Sequence, residues 1–297
     1  MISDNCSTDQ TRQIIEKYRN KFKSVLIENQ TQNMGLSWNF NRVANLAEGQ
    51  YFMWVSHDDF HEPTFISETL KLFHSEKNIV LATPLSKAVL TSTKETLWVA
   101  SLESFRNRTT PLQRYKEVVR NFPAVAMYGI YDRAAMLRAG LLPSIIGGDL
   151  VFIRALSLQG NFKSGQEVLF TRNAREAWNT AQADKKIFLG DGEKSKGDRL
   201  QSGFKVLRQS MHDISLAELK NTSKLRLTVF VIYISFSRYL KLKIIKYFMR
   251  LLPYAMEKSV AEKFYHRWFS NPNIREYPGD AFYTRIIMPS LRLPSKV

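Results

Sequence analysis

Short apolar runs alternate with amphipathic segments through the first 75 residues, and this pattern predicts strands and helices in turn. The expected strands are residues 1–3, 24–28 and 51–55. Each is followed by a segment whose apolar residues recur every three or four positions, as in a helix that buries one face. The first of these helices would turn Ile14, Tyr18 and Phe22 inward. Short strands separated by helices predict an α/β protein with a doubly wound, mostly parallel sheet.

The pattern continues with less regularity after residue 78. Further strands are expected at residues 79–82, 88–90, 122–131 and 166–172. A helix is expected to start at Pro111, and another is expected to run from Leu150 to Gly160. The second half of the predicted sheet is therefore connected by longer segments than the first.

The apolar run at residues 51–55 ends at two adjacent carboxylates, Asp58 and Asp59. Ligands of open α/β sheets bind beyond the carboxyl ends of the strands. Two neighbouring carboxylates repel each other unless a cation or hydrogen-bond donors offset their charge. The pair therefore predicts a site for Mg²⁺ or Mn²⁺ and substrate phosphates. The alternative is an exposed turn that precedes the helix near Pro63.

A second carboxylate, Asp149, follows Gly147 and Gly148 at the start of a predicted helix. Glycines allow a substrate to approach the backbone, and a helix N-terminus favours the ionised carboxylate. These features predict a general base that takes the proton of an attacking hydroxyl. The alternative is an aspartate that only caps the helix.

Polar motifs of the first 60 residues occur in a characteristic order. They are Asp4-Asn5-x-Ser7-Thr8-Asp9-x-Thr11, Asn33-x-Gly35, Asn41, Ala47-x-Gly49-x-Tyr51 and Asp58-Asp59. Together they resemble the nucleotide-sugar half of a family 2 glycosyltransferase with the GT-A fold. The resemblance implies that Asp4 binds the nucleobase and that Asp58 approaches the ribose or sugar. It also implies that Asp59 ligates the metal ion, and it places Asn33, Gly35 and Asn41 beside the nucleotide. In the second half, Asp149 matches the catalytic base, and Arg172 matches a cation facing the diphosphate.

The chain departs from the family pattern at its start. Family members open with a strand, a helix and the body of a second strand, whereas residues 1–3 resemble only the end of that second strand. An N-terminally truncated, inactive relic is therefore an alternative to an active enzyme. No secretory signal is expected, because the first residues form neither a basic nor an apolar segment.

The positive charge is concentrated in the C-terminal third. The 297 residues carry a formal net charge of +16. Between Leu219 and Met256 there are eight lysines and arginines and no acidic residue. Apolar residues at Leu240 and onwards share a predicted helical face with lysines opposite, which indicates contact with an anionic membrane surface. The expected division is a GT-A-like domain at 1–182, a linker at 183–203, a basic helical region at 204–268 and an irregular tail at 269–297.

Several classes of site and partner are disfavoured. Cys6 is the single cysteine, so an internal disulfide is excluded and a reducing compartment is indicated. His57 and His61 are separated by a turn, which disfavours zinc. A nucleic-acid partner is also disfavoured, because the basic residues are interleaved with long aliphatic side chains.

The sequence therefore predicts an inverting glycosyltransferase that uses a nucleotide diphosphate sugar, with a UDP-sugar favoured, and Mn²⁺ or Mg²⁺. The expected acceptor is a hydroxyl of a lipid-linked or growing glycan in cell-surface polysaccharide synthesis. The expected location is the inner, cytoplasmic face of the membrane, as a peripheral protein. A basic nucleic-acid- or membrane-binding protein is the remaining alternative.

Overall fold

The computed structural model describes residues 1–174, 199–251, 263 and 274–276, with side-chain burial given for 1–174, 203–240 and 263. Within these ranges the helices are α1 Thr11–Arg19, α2 Leu36–Leu46, α3 Phe65–Ser75, α4 Pro111–Asn121, α5 Arg133–Arg138, α6 Gly148–Gln159, α7 Arg199–Leu216 and α8 Asn221–Leu251. The strands are β1 Ile2–Asp4, β2 Ile27–Asn29, β3 Tyr51–Phe52, β4 Phe60–His61, β5 Ile79–Leu90, β6 Thr96–Ala100, β7 Ile130–Asp132, β8 Asn161–Ala174 and β9 Ile274–Glu276.

The strands form two sheets. β1 and β2 make a separate parallel pair, and the remaining described strands make a seven-stranded sheet centred on β5. β8 runs parallel to β5 along its whole length, whereas β7 and β6 pair antiparallel with its first and second halves. The α/β class is as expected. The strand directions are more mixed than a doubly wound, mostly parallel sheet, because β5–β8 is the one parallel pairing described in the larger sheet.

Helix α2 connects the two sheets. On one side its Asn39 accepts a hydrogen bond from the Ser3 hydroxyl at 2.5 Å and donates to the Ser3 carbonyl at 3.1 Å. On the other side Phe40 stacks on Trp54, with ring centroids 5.6 Å apart. The amphipathic helix expected after the second strand is confirmed in α2, because Ala44 is fully buried and Leu36, Phe40 and Val43 pack against the main core.

The main core surrounds Trp54, which is 3% exposed. Its indole N–H donates to the Phe40 carbonyl at 3.1 Å, and its ring makes edge contacts with Tyr131 and Phe152. Phe152 belongs to α6, so Trp54 links the segment after β3 to the helix that begins beside Asp149. The core thereby fixes two predicted site segments relative to each other.

Two predicted strands differ from the structure. The expected strand at 51–55 is paired only at Tyr51 and Phe52, and Val55 is 65% exposed rather than buried. The expected strand at 122–131 is a 3-10 helix, Ala124–Tyr128, followed by β7. Pro123 has no N–H to donate to a sheet, and its carbonyl instead accepts the Ala126 N–H at 2.9 Å. The burial predicted for residues 122–131 was correct, but the predicted strand conformation was wrong for residues 124–128.

The inward face predicted for α1 is also wrong. Ile14, Tyr18 and Phe22 are 55%, 42% and 59% exposed, and α1 buries none of its residues. The 3.6-residue period correctly indicated a helix, but no described element covers its apolar side. An amphipathic pattern reports that a helix has an apolar face without showing what covers it.

The C-terminal helices α7 and α8 pack against α4 and α6. Ile214, Leu227, Phe230 and Val231 form a buried cluster with Tyr115 and Val119 of α4. Polar contacts join the same surfaces: Arg154 donates to the Ser210 hydroxyl at 3.0 Å, and Arg238 donates to the Val119 carbonyl at 2.8 Å. The basic helical region therefore shares a core with the first domain. No helix in the described part of the chain is long and apolar enough to cross a membrane.

Three expectations lie partly outside the described residues. Helix α7 begins at Arg199, inside the segment expected as a linker, and residues 183–198 are not described. In the tail expected to be irregular, Ile274–Glu276 pairs antiparallel with β6, whereas residues 269–273 and 277–297 are not described. The side chains of residues 241–251, which carry most of the predicted membrane face, also lie outside the description.

Candidate functional site

The loop with Asp58 and Asp59 is held beside the carboxyl end of β8. The Asn173 backbone N–H donates to Asp59 Oδ1 at 3.1 Å, and the Asn173 side chain donates to the Asp58 carbonyl at 2.6 Å. The Ser56 hydroxyl donates to Asp58 Oδ1 at 2.7 Å. Asn173 thus fixes the loop that carries both carboxylates to the strand segment that includes Arg172. Of Arg172 and Asn173, only Arg172 was singled out from the sequence. Asn173 carried no sequence signal beyond its position next to that arginine.

Both the burial and the charge of this loop favour a bound cation. Burial raises the pKa of Asp59, and the negative charge of Asp58 raises it further. The Asn173 N–H, Arg172 and His57 oppose this shift without cancelling it. An ionised Asp59 is therefore costly in the free protein. Positive charge brought by a ligand would stabilise it.

Asp149 lies in the first turn of α6, behind a glycine pair that is needed for the local backbone. Gly147 has a φ of +83°, in the left-handed region that favours glycine. A Cβ on Gly148 would lie 2.2 Å from the Pro143 carbonyl oxygen, so only glycine fits there. These two residues fix the start of α6 and with it the position of Asp149.

The segment before Asp149 is tied to α2. Asn41 donates to the Leu142 carbonyl at 2.8 Å and accepts the Leu142 N–H at 3.0 Å. Ser37 donates to the Pro143 carbonyl at 3.2 Å. Asn41 was expected beside the nucleotide; the structure places its amide on the loop that leads to Asp149. Its described role is therefore to position the second half of the site against the first.

Burial also raises the pKa of Asp149. Backbone N–H groups at the start of α6 and the positive charges of Arg172 and Arg154 oppose the shift. The carboxylate is thus a stronger proton acceptor than an exposed aspartate, while nearby donors and cations support its ionised form. A general base requires this combination.

Tyr128 connects the two halves of the site electrostatically. Burial raises the pKa of its phenol, Arg172 lowers it, and the charges of Asp59, Asp58 and Asp149 raise it again. All four charged groups therefore act on one hydroxyl, at the end of the 3-10 helix. The ring of Tyr128 stacks on Phe170 of β8 at 5.6 Å. Sequence reasoning missed Tyr128 because it assigned residues 122–131 to a buried strand; the Pro123 and Gly129 that bracket the turn were the available signal.

Asp4 forms a second polar cluster at the end of β1. It is 4% exposed and accepts hydrogen bonds from the Ser7 N–H at 3.1 Å and from Arg12 Nε at 2.8 Å. Burial raises its pKa, but the Arg12 and Ser7 hydrogen bonds outweigh burial, so the pKa is lowered overall. The loop that follows lies near the carboxylate loop, because His57 acts electrostatically on Asp9.

Asn33 and Gly35 belong to this second cluster. Asn33 Oδ1 accepts hydrogen bonds from Asn5 Nδ2 at 2.8 Å and from the Gly35 N–H at 2.9 Å. Gly35 has a φ of +86° and precedes α2. Asn5, which the sequence analysis named in the first motif without assigning it a role, also accepts the Met34 N–H at 2.9 Å. This network joins the end of β1 to the start of α2.

The described residues contain no group of three or more His, Cys, Asp or Glu side chains that could hold a metal ion by themselves. His57 is exposed, and His61 packs on Phe65 and Phe170. Magnesium is commonly bound through one or two carboxylates together with substrate phosphates rather than by a complete protein cage. Asp58 and Asp59, with the raised pKa of Asp59, fit an ion that arrives with a diphosphate.

Comparisons with known proteins show which proteins this chain is similar to. The family model described as Glycosyl transferase family 2 matches residues 1–138, which extend from β1 through α5. Over 235 residues, or 75% of this chain, the sequence is 25% identical to the poly(ribitol-phosphate) beta-N-acetylglucosaminyltransferase TarS of Staphylococcus aureus (strain Mu50 / ATCC 700699). The family match covers slightly less than half of the chain, 138 of its 297 residues, and it agrees with the family expected from the sequence.

Solved structures confirm the GT-A fold expected from the sequence. The crystal structure of S. aureus TarS 1-349 in complex with UDP-GlcNAc matches with a TM-score of 0.56 at 18% identity, covering 90% of this chain and 72% of that one. The complex of the same protein with UDP matches with a TM-score of 0.54 at 19% identity, covering 88% and 68%. The chain spans only 36% of the length of the TarS sequence from strain Mu50.

Proposed function

We propose that this protein is a family 2 glycosyltransferase that transfers a sugar from a nucleotide diphosphate sugar to an acceptor hydroxyl, with inversion at the anomeric carbon. The observation that carries the proposal is that Asn173 holds the Asp58–Asp59 loop against the end of β8, next to Arg172, whose positive charge also acts on Asp149. Asp58 and Asp59 are suited to hold a cation beside the leaving diphosphate. Asp149 is suited to accept the proton of the attacking hydroxyl. The described site offers one base, Asp149, which favours a single inverting step.

In this proposal Asp149 accepts the proton of the acceptor hydroxyl as its oxygen attacks the anomeric carbon. The bond from that carbon to the diphosphate breaks, and the diphosphate leaves with the electron pair. Arg172, exposed at the end of β8, faces the departing diphosphate and stabilises its charge. Tyr128, whose hydroxyl is influenced by the charges of both regions, is proposed to bind the sugar or a phosphate oxygen.

Asp59 would hold a divalent cation, Mn²⁺ or Mg²⁺, with Asp58 beside it and close to the ribose or sugar. The ion would supply positive charge to the diphosphate. Asp4, Asn33, Gly35 and Asn41 are proposed to shape the nucleotide side of the site. Asn41 and Asn33 would contribute indirectly to nucleotide binding, since their described hydrogen bonds are to protein groups.

A UDP-sugar is the proposed donor, and UDP-GlcNAc is the first to test, because TarS has been crystallised with it. The proposed acceptor is a hydroxyl of a lipid-linked or growing glycan at the inner face of the membrane. The relative's name specifies poly(ribitol-phosphate), an anionic polymer. The net charge of +16 is compatible with such an acceptor.

The test combines nucleotide binding with turnover in three variants. Asp59→Asn is expected to lose Mn²⁺-dependent binding of UDP measured by calorimetry. Asp149→Asn is expected to keep that binding while transfer from UDP-GlcNAc falls by about 100-fold or more. Glu68→Gln removes a carboxylate from the surface of α3 and serves as the matched control, with both properties unchanged. Near-normal turnover of Asp149→Asn would remove it from the mechanism, and absence of any nucleotide binding by the unmodified chain would favour an inactive relic.

A further inference from the structure

An apolar stripe is exposed along the described part of α8. It consists of Leu225, Val229, Ile232, Tyr233, Phe236 and Leu240, which are between 45% and 66% exposed. At about 100° per residue these six side chains fall within an arc of about 100°. The stripe is about 22 Å long at a rise of 1.5 Å per residue. Contiguous apolar surface of this extent marks an interaction site.

The opposite face of α8 is fixed to the protein. Leu227 and Val231 are fully buried, and Phe230 is 8% exposed. Arg238 adds its hydrogen bond to the Val119 carbonyl at 2.8 Å. The exposed stripe is therefore held in a defined orientation relative to α4 and, through α7, to the helix that carries Asp149. A surface bound by this stripe would orient the whole catalytic unit.

The charge of α8 indicates the chemistry of its partner. The helix contains seven lysines and arginines and no acidic residue. A second copy of the chain is disfavoured as the occupant, because a two-fold contact would bring the same cations together. An amphipathic helix of this composition lies in the interface plane of a bilayer, with its apolar side inserted among the lipids. Anionic lipids attract the lysines and arginines beside it.

We propose that the face of α8 formed by Leu225, Val229, Ile232, Tyr233, Phe236 and Leu240 binds the surface of a membrane that contains anionic lipids. This surface differs from the one expected from the sequence, which began at Leu240 and extended toward residue 251. The membrane-binding proposal rests on the proposed function only for the location of the acceptor. Lipid binding itself requires neither a sugar donor nor catalysis. Binding through this face would give the site that contains Asp149 a fixed orientation toward the membrane that holds a lipid-linked acceptor.

The experiment measures flotation of the full chain with liposomes of phosphatidylcholine, with and without about a third of phosphatidylglycerol. The test variant is Ile232→Ser with Phe236→Ser. The matched control, Ile14→Ser with Phe22→Ser, removes the same two exposed residue types from α1 and from the segment just after it. All four side chains are exposed, so each variant is expected to keep the melting temperature of the unmodified chain.

The unmodified chain and the α1 control are expected to float with phosphatidylglycerol vesicles and to be released by salt. The α8 variant should bind phosphatidylglycerol vesicles about tenfold more weakly than the unmodified chain, because two side chains that insert among the lipids are lost. The proposal is overturned if the unmodified chain fails to bind, if both variants bind equally, or if neutral vesicles bind as well as anionic ones. It is also overturned if sedimentation shows that the α8 variant changes only the oligomeric state. Each result is independent of UDP binding, so failure here leaves the proposed reaction standing.

Discussion

Asp149 combines a proposed catalytic role with a cost to the folded state. Burial raises its pKa above the ordinary value, so folding favours the protonated form. Below the pKa of the unfolded chain the carboxyl is neutral in both states and costs nothing. As the pH rises through the folded pKa, the ionised group becomes destabilising, and this penalty persists at neutral pH. The same group must be ionised to act as a base.

We predict that Asp149→Asn raises the melting temperature at pH 7 while it removes transfer activity. An increase of about 2 °C or more is expected for a chain of this size. The difference should shrink as the pH is lowered through the range in which the carboxyl is protonated. Differential scanning calorimetry from pH 4 to pH 8 measures it. A variant that melts lower than the unmodified chain at neutral pH would show that the carboxylate stabilises the fold.

At the residue scale, the sequence identified the charged groups better than the groups that hold them. Asp58, Asp59 and Asp149 were found because carboxylates that follow apolar or glycine-rich segments have few structural explanations. Asn173 was missed, because a contact across 114 residues leaves no local pattern. Asn41 was found for its place in a motif, but its pairing with Leu142 depends on the packing of α2. The roles of these residues remain proposals.

Among the elements, the turn before α6 is the most sensitive to substitution. Gly148→Ala would place a Cβ 2.2 Å from the Pro143 carbonyl oxygen, and the contact is with backbone, which cannot rotate away. We predict a loss of about 2 kcal/mol or more in the free energy of unfolding, with reduced transfer because the start of α6 is displaced. Chemical denaturation measures the loss.

The chain provides a matched control for this substitution. Gly203 lies in α7, and a Cβ there would meet no atom within 4 Å. Gly203→Ala is expected to be neutral or to stabilise by up to about 1 kcal/mol, since alanine is the better helix former. Equal effects of the two substitutions would mean that the turn before α6 adjusts and does not fix Asp149.

Elements with a clear period were predicted, and those defined by a turn were not. The start predicted at Pro111 agrees with α4, and the helix predicted from Leu150 to Gly160 agrees with α6 to within two residues. The strand expected at 122–131 failed, because burial alone does not distinguish a 3-10 helix from a strand. The strand at β9 followed from pairing with β6, and short strands formed by tertiary pairing have no sequence signature of their own.

For the whole molecule, stability is expected to differ between the two sheets. β1 and β2 form an isolated pair, and α1 beside them buries none of its residues. The seven-stranded sheet is covered by helices and contains the buried residues of β5. Local opening requires little free energy where few apolar contacts must break.

We predict that β1, β2 and α1 exchange their amide hydrogens at least about tenfold faster than β5 and β8. Hydrogen–deuterium exchange with mass spectrometry measures both regions in the same sample, so each serves as a reference for the other. Equal protection would show that the exposed face of α1 is covered in solution. Addition of UDP with Mn²⁺ should slow exchange at the end of β1, since that loop lies beside the carboxylate loop.

The long parallel pairing of β5 with β8 has a consequence for synthesis on the ribosome. Ile79 pairs with Asn161 and Leu90 with Ala174, so partners are separated by about 80 residues. At about 5–20 residues per second, β5 must wait several seconds for its partner to leave the exit tunnel. During that time an apolar strand edge is unpaired and able to associate with other nascent chains. Slower growth or a holding chaperone should therefore raise the soluble yield of this chain more than any change at its catalytic residues.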